Sequence, residues 1–147
     1  MERITQCKVK AVLNNSHNEI LFFKSREKRN SNLIQLPNGT VQYGHTPESS
    51  LKRIIKKETN IDIEPLSVLG IYSNFEPSSG HHTVTAAFIC LILDIDHGLS
   101  LQNSQSTYLW LDKFNQRAMT LDHEDTKILT HYNLWRIDRS TFWTSKL

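Results

Sequence analysis

The sequence predicts an α/β fold in which helices cover both faces of a mixed β-sheet. Three observations lead there. Residues 83 to 93 are apolar on both alternating sides, with Val84, Ala86, Phe88, Cys90 and Ile92 on one and Ala87, Ile89, Leu91 and Leu93 on the other. A strand of that kind is central, with a layer packed on each face. Residues 47 to 59 carry a full set of helix signals, and residues 121 to about 136 form a second helix with Ile128, Leu129, Tyr132 and Trp135 on its inner side.

In chain order, residues 7 to 13 (Cys-Lys-Val-Lys-Ala-Val-Leu) read as a strand and residues 14 to 18 as a polar turn. Residues 19 to 24 return as the second arm of a hairpin. The charged, aperiodic stretch from 25 to 32 reads as an exposed loop. Short strands at 33 to 36 and 40 to 43 flank Pro37-Asn38-Gly39. The helix then opens with Thr46 as N-cap, Pro47 in the first helical position and Glu48 where the dipole favours an anion. Leu51, Ile54, Ile55 and Glu58 follow at helical spacing, and Asn60 suits the left-handed residue that ends a helix. Strands are expected at 66 to 73 and 108 to 111. The tail from 137 to 147 carries Phe142 and Trp143, which offer docking on the domain or on a second copy of the chain, a homodimer.

Bulk properties set the class. At 147 residues the chain makes one domain, residues 1 to 147, with room for a real core. Its 38% hydrophobic and 22% charged content is that of a soluble globular protein. A net charge of +2 gives no case for nucleic acid. No apolar run reaches the roughly 20 residues of a membrane helix, and the polar start Met-Glu-Arg-Ile-Thr-Gln lacks the character of a signal peptide. Cys7 and Cys90 lie in apolar, strand-like runs and read as buried thiols, which points to a reducing, cytoplasmic setting.

Residues 39 to 61 resemble the Nudix box, G-x5-E-x7-R-E-U-x-E-E-x-G-U with U aliphatic, in register and without a gap. Gly39, Arg53, Ile55, Glu58 and Ile61 fall on fixed positions. His45, Ile54, Lys57 and Asn60 occupy the other four, three of which are glutamates in the pattern. This degenerate box therefore lacks three of its four glutamates. A second stretch, from Gly70 to Val84, is similar to a segment of the ADP-ribose pyrophosphatase branch, G-U-Y-S-D-P-x-R-D-P-R-G-H-T-V. Tyr72, Ser73, His82, Thr83 and Val84 match, while Pro77 and Gly80 stand where that branch has arginines. Leu121-Asp122-His123-Glu124-Asp125 resembles the Asp-His pair that opens its last helix. The resemblance spans nearly the whole chain and implies the Nudix, MutT-like architecture, an α/β/α sandwich around a mixed sheet.

That resemblance implies a hydrolase that splits a nucleoside diphosphate derivative such as ADP-ribose, using Mg2+ or Mn2+ held by box glutamates. Here the three acidic positions of the Arg-Glu-U-x-Glu-Glu run are Ile54, Lys57 and Glu58, and the formal charge they carry goes from −3 to 0. Unit charges 4 Å apart interact by roughly 4 kcal/mol at an effective dielectric of 20, so a lysine in a ligand's place is a serious loss. The expectation is weak or absent catalysis. The alternative is a non-catalytic module that binds a nucleotide or nucleotide sugar without a metal.

Each candidate residue has two readings. Glu58 is a remnant catalytic metal ligand, or a helix-end acid paired with a basic side chain. Lys57 is a surface lysine, or it holds a diphosphate in the metal's place. His45 is a polar turn residue or touches ligand, and Arg53 braces the box loop next to the substrate. Tyr72 and Phe75 stack on a base, or Tyr72 packs in the core. His82 lines the pocket while the adjacent His81 points to the opposite face. His123 contacts substrate, and Asp122, Glu124 and Asp125 favour the helix dipole or bind metal.

Overall fold

The computed structural model describes residues 3–25, 32–93 and 107–137. The described residues form seven strands and three helices in the order β1 (Thr5–Leu13), β2 (Ile20–Lys24), β3 (Ile34–Gln35), β4 (Asn38–Thr40), α1 (Pro47–Thr59), β5 (Ile63–Glu76), β6 (His81–Ile92), β7 (Tyr108–Leu111), α2 (Lys113–Gln116) and α3 (His123–Ile137). A mixed four-stranded sheet runs β4-β1-β6-β5, and a three-stranded sheet runs β3-β2-β7. β1 and β6 are parallel, with Val9 opposite Ala86 and Leu13 opposite Cys90. The other pairings are antiparallel.

Period-two alternation divides the core into two layers. Val9, Ala11, Leu13, Phe88 and Cys90 face one side and pack with Leu51 and Ile55 of α1. Val12, Ala87 and Ile89 face the other and pack with Ile128 and Tyr132 of α3. The expected two-sided central strand is β6, up to Cys90. Leu91, near its far end, and Leu93, just beyond it, are exposed.

Helix α1 follows its local signals. The Thr46 hydroxyl accepts the Ser49 N–H at 3.1 Å, Pro47 opens the helix, and Asn60 closes it at φ 62° with its N–H on the Lys56 carbonyl. Its basic residues are also placed: Lys52 pairs with Glu64 at 2.8 Å and Lys56 with Asp62 at 3.0 Å, on the surface beside β5.

Several boundaries differ from the sequence expectation. The strand expected at 40 to 43 is β4, Asn38–Thr40, and the Tyr43 side chain is fully exposed. At Gly39 a Cβ would run into the Ile54 side chain, so the bare backbone lets α1 close onto β4. β5 is longer than expected and carries irregularities between Pro65 and Ser67 and between Val68 and Gly70. The short α2, capped by Asp112, was not foreseen. The tail with Phe142 and Trp143 and most of the loop expected at 25 to 32 lie outside the described residues. No helix among the described residues is long and apolar enough to cross a membrane.

Cys7 is a correction. Both thiols are free, but Cys7 is exposed because the first residues of β1 run past the layer that α1 covers. Cys90 is buried, and burial, then the charge of Glu64, push its thiol up to about 12. Treatment of the native protein with iodoacetamide at pH 8 is expected to modify Cys7 and spare Cys90 until the chain is unfolded. Peptide mapping of the labelled protein checks this, and native-state labelling of Cys90 would contradict it.

Candidate functional site

Two clefts meet at the N-terminus of α3. The larger, about 510 Å³, is lined by Phe23, Lys24, Leu33, Gln35, Asn38, Ile54, Glu58 and Asp122 among others. The second, about 360 Å³, is lined by Ile71, Tyr72, Ser73, Asn74, Asp122, His123, Glu124 and Lys127. Asp122 belongs to both walls.

The box helix gives the first cleft two residues at i, i+4 spacing, Ile54 and Glu58. One presents hydrocarbon where the box pattern has a carboxylate, and the other keeps its acid. Lys57 points from the exposed side of α1, and neither it nor His45 lines either cleft. Arg53 donates to Gln42 Oε1 at 2.9 Å and so ties α1 to the loop that precedes it.

The second cleft joins Tyr72 to His123. Tyr72 is buried at 5% exposure, stacks on His131 and shares a 2.7 Å hydrogen bond with His131 Nδ1. Burial, followed by the charge of Glu124, raises its hydroxyl to about 12, so it is a neutral phenol at physiological pH. Phe75 and His82 lie elsewhere. His82 is held by Thr5 Oγ1 at 2.9 Å and Ser73 Oγ at 3.1 Å, with the exposed Phe75 ring edge-on at 6.0 Å. These two residues cross-link β1, β5 and β6 and do not line the clefts.

The acids that open α3 have separate tasks. Asp122 caps the helix, its Oδ1 accepting the Asp125 N–H at 2.7 Å. Asp125 is fully buried: Oδ1 sits 2.6 Å from Lys10 Nζ, and Oδ2 accepts the Leu36 N–H at 3.0 Å. Glu124 completes the cluster, 2.9 Å from the same ammonium. Burial works against the Lys10 charge, but Asp125 and Glu124 outweigh it and hold its pKa above the usual lysine value. Burial also lifts the Asp125 carboxyl, against the pull of Lys10 and the Leu36 N–H. With both its oxygens engaged by donors, Asp125 is an ion-pair partner and not a free ligand.

Sequence reasoning missed Lys10, Lys24, Gln35, Asn38 and Lys127. For Lys10 a signal existed. It shares the Val12 face of β1 with Lys8 but lies directly beside the buried Val12, inside the apolar part of the strand, where an inward charge needs a counter-charge.

Fold and clefts together define a sandwich protein whose box helix lines a cleft of about 510 Å³. The NUDIX domain model matches residues 5–127. The chain is 31% identical over 120 residues to an ADP-ribose pyrophosphatase of Methanocaldococcus jannaschii, covering 81% of this chain and 68% of that protein. A NUDIX hydrolase from Nitrosomonas europaea superposes with a TM-score of 0.72 at 18% identity, over 89% of this chain and 90% of that one. The E. coli ORF135 protein also gives 0.72, at 17% identity, over 92% and 94%. A UDP-X diphosphatase gives 0.66 at 15% identity, over 90% of this chain and 65% of that one. The chain belongs to the Nudix family, whose hydrolases act on nucleotide derivatives and generally use divalent metal ions.

The described residues assemble no protein-held magnesium site. Magnesium takes six oxygens in near-octahedral order. Among the described residues no group of three or more His, Cys, Asp or Glu side chains is placed to hold a metal ion. Among the described residues, Glu58 of α1 and Asp122, the cap of α3, are the carboxylates on the larger cleft.

Proposed function

We propose that this Nudix protein binds a nucleoside diphosphate derivative of the ADP-ribose kind along the two clefts that meet at Asp122, and that its magnesium- or manganese-dependent hydrolysis is weak or absent. One observation carries the reading. The Ile54 side chain is pressed against Gly39 on the cleft side of α1, where the box needs a carboxylate. Glu58 is left as the box acid facing the groove. The likeness to an ADP-ribose pyrophosphatase supports the choice of ligand class. If binding persists with no hydrolysis at all, the protein is a nucleotide or nucleotide-sugar sensor. The free state of both cysteines agrees with the reducing, cytoplasmic setting that belongs to this reading.

The test pairs calorimetry with a product assay. ADP-ribose is expected to bind, and AMP release in magnesium or manganese is expected to stay at the level of the protein-free control. Robust turnover that vanishes in Glu58→Gln would overturn the catalytic half. Absence of any binding would overturn the ligand half.

A further inference from the structure

The two clefts share more than Asp122. Their polar walls are tied to one buried ammonium. Lys10 Nζ contacts Asp125 at 2.6 Å and Glu124 at 2.9 Å. From Asp125 the connection divides: its second carboxylate oxygen takes the Leu36 N–H, between the cleft residues Gln35 and Asn38. Its backbone N–H donates to Asp122, on the wall common to both clefts. Glu124 lines the second cleft directly.

We infer that Lys10 is a positioning residue of the ligand groove, fixing through Asp125 and Glu124 the placement of the Leu36 bend relative to the start of α3. Stability alone does not explain such a device. Well-packed apolar side chains of similar volume often replace a buried ion pair without loss. Apolar side chains could not, however, accept the Leu36 N–H or hold Glu124 at the cleft wall. Nor is the cluster a metal site, since a protonated lysine occupies its centre. The placement is also economical in sequence terms: β1 contributes one side chain, and two separate walls acquire a common reference point. Backbone hydrogen bonds between Ile34 and Thr120 and between Thr120 and Asn32 tie the start of β3 to the approach to α3, but they reach neither Leu36 nor Glu124. β3 has only two residues, and the first turn of α3 depends on its caps.

The test separates support of the fold from placement of the walls. The double variant Lys10→Met/Asp125→Leu removes both buried charges and restores apolar packing. It is expected to melt cooperatively within a few degrees of the parent, while the Leu36 amide exchanges about tenfold faster or more. The amide signals of Gln35, Asn38, Asp122 and His123 shift in the same variant. ADP-ribose affinity is expected to fall at least about tenfold, a readout that rests on the reading above, whereas the amide readouts do not. An unchanged Leu36 exchange rate and unshifted cleft signals in the folded double variant would overturn the inference. If the double variant does not fold, Asp125→Asn keeps the shape and removes the charge; its amide oxygen can still accept the Leu36 N–H, so the cleft amide signals decide there, and unshifted signals would overturn the inference. Should the parent protein fail to bind ADP-ribose, the ligand assignment fails, and the amide data still decide the role of Lys10.

Discussion

A Lys10→Met variant is expected to lose about 3–5 kcal/mol of unfolding free energy in a urea titration, the usual result of breaking a buried ion pair from one side. Asp125, at 0% exposure, would be left buried with only the Leu36 N–H to meet its carboxyl group. The pH dependence has a definite sign. Lys10 sits above its ordinary pKa of 10.5, so over the window above that value the folded chain holds a proton that the unfolded chain has released. Its contribution is full below 10.5 and drains away as pH rises through the folded-state value. Stability of the parent should therefore fall on the alkaline side, and Lys10→Met should lose less over the same window. Tyr72 and Cys90, both raised to about 12, add to the alkaline loss in parent and variant alike, so the difference between the two curves isolates the lysine. Equal slopes above pH 10.5 would show that the ammonium is not held as described.

The second large effect concerns Ile54. Replacing it with glutamate, alone, is expected to raise magnesium affinity by roughly tenfold or more in a calorimetric titration, because a second carboxylate then joins Glu58 on the cleft side of α1. Lys57→Glu and His45→Glu are expected to add little, since both positions are exposed and outside the cleft linings. The ranking matters because the three replacements look equivalent in the sequence pattern. Ile54→Glu has a structural cost: the side chain packs on the α1 layer of the core and against Gly39. A circular-dichroism melt should accompany the titration. If Lys57→Glu proved the stronger single change, the orientation of α1 on the groove would be wrong.

Much of the fold could be read from the chain because its signals are local. Thr46, Pro47 and Asn60 bound α1 to the residue, and the two-sided apolar run located β6 within two residues at each end. The acid deficit of the box was visible too. What could not be read was the way distant segments meet. Lys10 and Asp125 are 115 positions apart, so no window-based pattern joins them. His82 looked like a pocket residue by motif, but its ring nitrogens are engaged by Thr5 and Ser73, an outcome decided by the β1–β6 and β5–β6 registers. Cys7 was misplaced for a related reason. A strand's pattern tells which faces alternate, but not how far a neighbouring helix reaches along it.

The parallel pairing of β1 with β6 has a kinetic consequence. Thr5 meets His82 across 77 positions, so the first strand can pair with β4 early but cannot find β6 until more than half of the polypeptide has left the ribosome. Until then a segment apolar on both sides is held only by partners that are themselves immature. Closing so long a span costs entropy before any contact repays it, which slows this chain relative to proteins built from local contacts. The nascent amino-terminal portion is the stretch that chaperones would be expected to shield.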